Sequence, residues 1–88
     1  MNKKTLKVVF RKFKDGEIIA LFPQFVHRKN YTIDSYMRIG QHGEADPAIV
    51  NDTKLASESE YESLLKEIKS IYHDYEIKVV KKLNVKWM

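Results

Sequence analysis

The stretch Gly40-Gln41-His42-Gly43-Glu44-Ala45-Asp46-Pro47 gathers more residues capable of chemistry than any other part of this chain. Two of the three glycines, one of the three histidines and one of the two prolines fall within it, beside two carboxylates. His42, Glu44 and Asp46 alternate. An extended backbone would therefore turn all three the same way and offer a cation a mixed nitrogen and oxygen ligand set. Imidazole titrates near neutrality, so His42 also has the chemistry of a general base. A plainer use competes with both: a polar turn in which Gly40 and Gly43 take positive φ and the charged groups face water. A catalytic histidine needs an orienting partner and a pocket, and the sequence displays neither. The expectation is a structural loop that needs no metal and no cofactor. Gln41, His42, Glu44 and Asp46 are kept as its candidate site residues.

Other chemistries lack their parts. The chain has no cysteine, which removes disulfides, thiolate nucleophiles and cysteine zinc sites together. There is no glycine-rich phosphate loop, no dinucleotide fingerprint and no Gly-x-Ser-x-Gly elbow. His42-Gly43-Glu44 matches half of a zinc deaminase signature, but the other half requires cysteines. No helix-turn-helix or zinc-finger spacing appears. Glu58, Glu60 and Glu62 read as helix-start residues rather than as an acid–base pair.

The elements that would position these residues follow from patterning. The 88 residues are 43% hydrophobic and 32% charged, the balance of one small folded domain spanning 1–88. Lys7, Arg11 and Lys12 interrupt any signal-peptide core, and no stretch approaches a membrane span. A soluble, cytoplasmic protein with no membrane partner is expected. Thr5–Lys14 and Glu17–Phe22 predict a hairpin about Asp15-Gly16, a dipeptide suited to a type I′ turn. Leu6, Val8 and Phe10 share one face of the first strand, and Lys7, Val9, Arg11 and Phe13 share the other. Pro23 should end the second strand, leaving Gln24–Thr32 as an exposed loop. Ser35–Ile39 predicts a third strand and Ala48–Thr53 a fourth, with the Gly40–Pro47 loop as the tip between them. Ser57 and Glu60 form a capping-box pattern. After it, Tyr61, Leu64, Leu65, Ile68, Ile71 and Tyr72 make an apolar stripe of helical period. Tyr75–Leu83 predicts a last strand, followed by a short basic tail that contains Trp87. The fold class is α+β: an antiparallel sheet of four to five strands with one helix packed on one face.

One helix covers one face. The other would carry Lys7, Val9, Arg11, Phe13, Ile19, Leu21, Lys78, Val80 and Lys82, too apolar to be solvated and too basic for a plain core. Three fates are open: contact with nucleic acid, in which the basic residues meet phosphates and Phe13 stacks on a base; packing against a second copy of the chain; or burial under Trp87 and the loop around Phe25, the plainest of the three. Charge is unevenly spread. Residues 1–38 carry nine Lys/Arg against three Asp/Glu, residues 39–76 carry three against nine, and residues 77–88 carry four and none. A basic surface for an anionic partner is one reading, and pairing of acidic and basic elements within the fold is the other.

Val8-Val9-Phe10-Arg11-Lys12-Phe13-Lys14-Asp15-Gly16-Glu17-Ile18-Ile19-Ala20-Leu21-Phe22-Pro23 and Ser35-Tyr36-Met37-Arg38-Ile39-Gly40-Gln41-His42-Gly43 resemble a family of short uncharacterised proteins from gut-bacterial genomes and their phages or mobile elements. The resemblance extends more loosely through Glu60-Tyr61 and Lys78-Val79-Val80-Lys81. It implies a genomic setting and no mechanism.

The function expected from the sequence is a small non-catalytic binding or accessory module. Its partner would be a protein, a second copy included, or nucleic acid, met through Lys7, Arg11, Phe13, Lys78 and Lys82. The alternative is a small enzyme or metal-dependent regulator that uses the Gly40–Pro47 loop.

Overall fold

A computed structural model describes residues 4–38 and 40–85. Strand β1 (Lys4–Lys12) is central and covered on both faces, with Leu6, Val8 and Phe10 buried on one and Val9 on the other. It pairs antiparallel with β2 (Ile18–His27), through Val9↔Leu21 to Lys12↔Ile18. β3 (Thr32–Met37) follows antiparallel to β2, and β4 (Gln41–Ala45) antiparallel to β3. A 3₁₀ segment, Pro47–Asn51, leads to the two-residue β5 (Lys54–Leu55), helix α1 (Glu58–Ile71) and β6 (Tyr75–Val79). The sheet order is β4-β3-β2-β1-β5, with β6 also on β1. The α+β architecture with one helix agrees with the sequence. One pairing departs from the antiparallel rule: β6 runs parallel to β1, from Lys4↔Tyr75 to Val8↔Val79. The helix between β5 and β6 carries the chain back from the Lys12 end of β1, where Glu60 lies, to its Lys4 end, where Tyr75 pairs, as a parallel crossover requires.

The helix forms as patterned. Ser57 and Glu60 make the capping box, in which the Glu60 carboxylate accepts from the Ser57 N–H at 2.9 Å and from its hydroxyl at 3.0 Å. Leu64 and Ile68 are buried beneath it, against Leu6, Val8, Phe10, Ala20 and Phe22. Tyr61 stacks on Phe10, with ring centroids 4.3 Å apart and planes 10° from parallel. Ile71, counted in the stripe, is 41% exposed and stands at the last helical position. No helix among the described residues is long and apolar enough to cross a membrane.

The second face of the sheet also carries a core. Val9, Ile19, Leu21, Ile33 and Ala45 are buried there, beneath Ile49 of the 3₁₀ segment and Val80, Leu83 and Val85 of the C-terminal segment. The apolar residues of this face are buried, but the cover differs from the one expected. Phe25 packs on the helix side, against Phe22, Tyr72 and Tyr75. Trp87 lies outside the described residues.

Four local expectations are corrected. The β1–β2 turn is not type I′. Gly16 has φ +95°, whereas Asp15 is not at positive φ; the Gly16 N–H donates to Phe13 O and the Phe13 N–H to Glu17 O. This is a three-residue loop that ends in a glycine bulge. Pro23 does not end β2. It sits at a register break between Phe22 and Val26, where the Gln24 side chain replaces the missing ladder by accepting from the Lys7 N–H and donating to Thr5 O. Strand β2 therefore runs on to His27, through the first four residues of the expected loop. The Gly40–Pro47 stretch is not a tip. The turn closes at Gly40, φ +72°, and Gln41–Ala45 is strand. Finally, Ala48–Thr53 is not a strand: Asp46 accepts from the Ala48 N–H at 2.9 Å and caps the 3₁₀ segment, with Pro47 in its first turn.

Candidate functional site

The five residues assigned from sequence to one basic face separate into two groups. Phe13 is partly buried against the second core, on the wall of an open depression that it shares with Lys12, Lys14 and Lys54. Arg11 is half-buried and turned inward. Its guanidinium donates to Val50 O at 2.8 Å, to Thr53 Oγ1 at 3.0 Å and to Thr53 O. A planar fork with several donors suits the carbonyls at the end of a helical segment, and here it fastens the 3₁₀ segment over the sheet. Thr53 Oγ1 in turn donates to Ile49 O at 2.8 Å, so the clamp reaches the residue that covers Val9 and Ile19.

Lys7, Lys78 and Lys82 remain exposed. Lys7 and Lys78 are direct partners in the parallel β1–β6 ladder, so their side chains leave the sheet on the same side. After β6 the chain turns across this edge, held by the Val80 N–H donating to Val8 O at 2.9 Å. That turn brings Lys81 and Lys82 beside Lys7, around an open depression completed by Pro23, Val80 and Asn84. None of the described lining residues is acidic. Glu76 shares the face of Lys78 two positions along β6, yet among the described residues none of these four lysines forms an ion pair. Lys81 is a member that the sequence reading did not select, because its position depends on how the segment turns after Val79. The depression beside Phe13, lined also by Lys12, Lys14 and Lys54, contains the Asp52 carboxylate, and Lys12 is already bound to Glu60.

Of the loop candidates, Gln41, His42 and Glu44 lie on β4 and Asp46 follows it. His42 and Glu44 are exposed on the helix-side face, opposite Tyr36 and Asp34 of β3. The His42 ring meets the edge of Tyr36 with centroids 4.8 Å apart. Tyr36 is buried, at 2% exposure. Its hydroxyl donates to Glu67 Oε1 at 2.8 Å and accepts from the Gly40 N–H at 3.0 Å. Burial, followed by the hydrogen bond to Glu67, pushes its phenol above the ordinary value. Gln41 lies on the opposite face, paired with Met37. Asp46 is committed to capping. Among the described residues no three His, Asp or Glu side chains are placed to hold one metal ion, so His42, Glu44 and Asp46 are not brought together as ligands.

A polar cluster on the same side was missed from sequence. His27 Nε2 and Asp34 Oδ1 are hydrogen-bonded, which raises the imidazole pKa above 6.5. Thr32 donates to Glu44 Oε1, and Asn30 reaches the same oxygen at 3.5 Å. These bonds, that from Thr32 foremost, hold the Glu44 carboxyl below its ordinary value. The sequence places His27 in the exposed Gln24–Thr32 loop because Pro23 is taken to end β2. Only the continued strand puts His27 in register with Thr32.

No protein-family model, no curated protein and no solved structure matches this chain. The resemblance drawn above therefore rests on its own residues.

Proposed function

We propose that the chain is a small non-catalytic binding module that meets the phosphate backbone of a nucleic acid through Lys7, Lys78, Lys81 and Lys82. The observation that carries this reading is the direct pairing of Lys7 with Lys78 in the ladder, reinforced by Lys81 and Lys82 with no acid among the described residues lining their depression. Like charges placed opposite one another on a sheet are unfavourable by themselves, and an anion with several phosphates relieves them together. With Phe13 partly buried against the second core, the reading rests on phosphate contact rather than base stacking, and so implies little sequence preference. A cytoplasmic location belongs to the same reading.

Fluorescence anisotropy with a short labelled DNA duplex at a series of salt concentrations tests it. Affinity should fall steeply with salt, because each neutralised phosphate releases counterions. Lys7→Ala and Lys78→Ala should each reduce the slope of log affinity against log salt by about 1, and Lys54→Ala should leave it unchanged. Absence of binding at low salt, or binding indifferent to Lys7 and Lys78, would reject the proposal.

A further inference from the structure

β4 is an edge strand. Among the described residues it pairs with β3 on one side only and ends the sheet order, and Gln41, His42, Gly43 and Glu44 are all exposed. Natural edge strands are usually protected by lysine, proline, a bulge or a covering segment. Gln41-His42-Gly43-Glu44-Ala45 contains no lysine or proline, and its pairing with β3 is unbroken from Met37↔Gln41 to Ile33↔Ala45. A Cβ added at Gly43 would meet Ser35 Oγ in ordinary contact, at 3.6 Å.

The order of residues along this edge is self-complementary. If two copies of β4 run antiparallel about a two-fold axis at Gly43, then Gly43 faces Gly43 and each His42 faces a Glu44. Both residues lie on the helix-side face of their own strand, so the two pairs form on one side of the joined sheet. The side chains are already arranged for this. His42 is braced against Tyr36, and Thr32 and Asn30 both address Glu44 Oε1, which leaves Oε2 able to accept from a partner. Within one chain the His42 N–H closes onto Gly40 O at 3.1 Å, a bond that would be exchanged for one in the ladder.

We propose that β4 is a homodimerisation edge: two copies of the chain join antiparallel at Gly43 through main-chain hydrogen bonds and reciprocal His42–Glu44 pairs. Such an interface is isologous and closes at two copies, because pairing consumes the edge. Five residues a side bury well below the roughly 1,200 Å² of a standard interface, so the dimer is weak and depends on concentration. The surface is separate from the lysine cluster. β4 lies at one end of the strand order, and β6, on the far side of β1, at the other, so loss of duplex binding would leave this proposal standing and the reverse also holds.

Sedimentation equilibrium up to about 1 mM protein, the range in which contacts worth about 4 kcal/mol are populated, provides the test. The chain should shift from monomer towards dimer. His42→Glu places Glu against Glu and Glu44→His places His against His, so each variant alone should remain monomeric. An equimolar mixture of the two restores both opposite pairings and should associate as the parent does, which also shows that both variants fold. As an independent readout, Gly43→Cys introduces the chain's single thiol. It should form a disulfide-linked dimer on mild oxidation much faster than Lys29→Cys, whose thiol would lie in the β2–β3 turn, because facing residues of an antiparallel pair stand about 4.5–5.5 Å apart at Cα. A parent that stays monomeric at 1 mM, single variants that dimerise as well as the parent, a mixture that fails to associate, or equal rates for the two thiols would each overturn the proposal.

Discussion

Arg11→Ala separates two roles that sequence and structure assign to the same residue. As a phosphate ligand, Arg11 would matter to binding and little to stability. As the clamp observed here, it would matter to stability first. One guanidinium holds Val50 O, Thr53 O and Thr53 Oγ1. A hydrogen bond to a charged group contributes about 1.5–3 kcal/mol. The three share one side chain and are not additive, and water can reach half-buried carbonyls once the side chain is gone. The expected loss is therefore about 2–3 kcal/mol, near the value of one to two such bonds. In a domain of this size that lowers Tm by roughly 8–24 °C. Arg11→Lys should recover less than half of the loss, because a single ammonium cannot present a fork to two carbonyls and a hydroxyl. Thermal unfolding followed by circular dichroism measures the loss, and duplex affinity is measured in parallel on folded protein. A variant with unchanged Tm and abolished duplex binding would refute the clamp and return Arg11 to the binding surface.

Two further outcomes follow from the turns and the helix start. Gly40→Val should destabilise by about 1–2 kcal/mol or more, because a β-branched residue is strained at φ +72°, whereas Gly43→Ala should be tolerated at its strand position; chemical denaturation distinguishes the two, and equal losses would contradict the turn assignment. Glu60 is held at about 2, first by the hydrogen bond from Lys12 and then by Ser57. Its folded-state pKa lies below the ordinary 4.5, so the stability it adds is present above 4.5 and is lost as pH falls towards 2. A pH series of unfolding midpoints should show that acid-side loss shrinking in Glu60→Gln, and an identical acid limb in both proteins would count against the Lys12–Glu60 contact.

How much was legible depended on how local the deciding interaction is. The helix could be read because the cap and its partner are three residues apart and the stripe Tyr61, Leu64, Leu65, Ile68 repeats within one element. The two faces of β1 could be read because alternation belongs to the strand itself. The passage of β2 through Pro23 could not, since it depends on the Gln24 side chain standing in for a ladder bond to residues 17 and 19 positions away. The 3₁₀ segment is an intermediate case. Asp46-Pro47 is a helix-start signal, but five residues carry too little periodicity to distinguish a short helical turn from a strand.

The sequence by itself determined the residue types on each strand face, the helix and its cap, and the absence of cysteine chemistry. The tertiary structure alone decided what those residues do. Lys7 and Arg11 are four positions apart on one strand face, with comparable charge and reach. One stands in solvent opposite Lys78, while the other is turned onto acceptors 39 and 42 residues further along the chain. His42 and Glu44, read as the tip of a loop, became the rim of a sheet because Gly40 closed the turn early and β3 set the register. A charged side chain spends its hydrogen bonds on whatever the fold brings within about 3 Å, and alternation along a strand specifies only the side from which that neighbour comes.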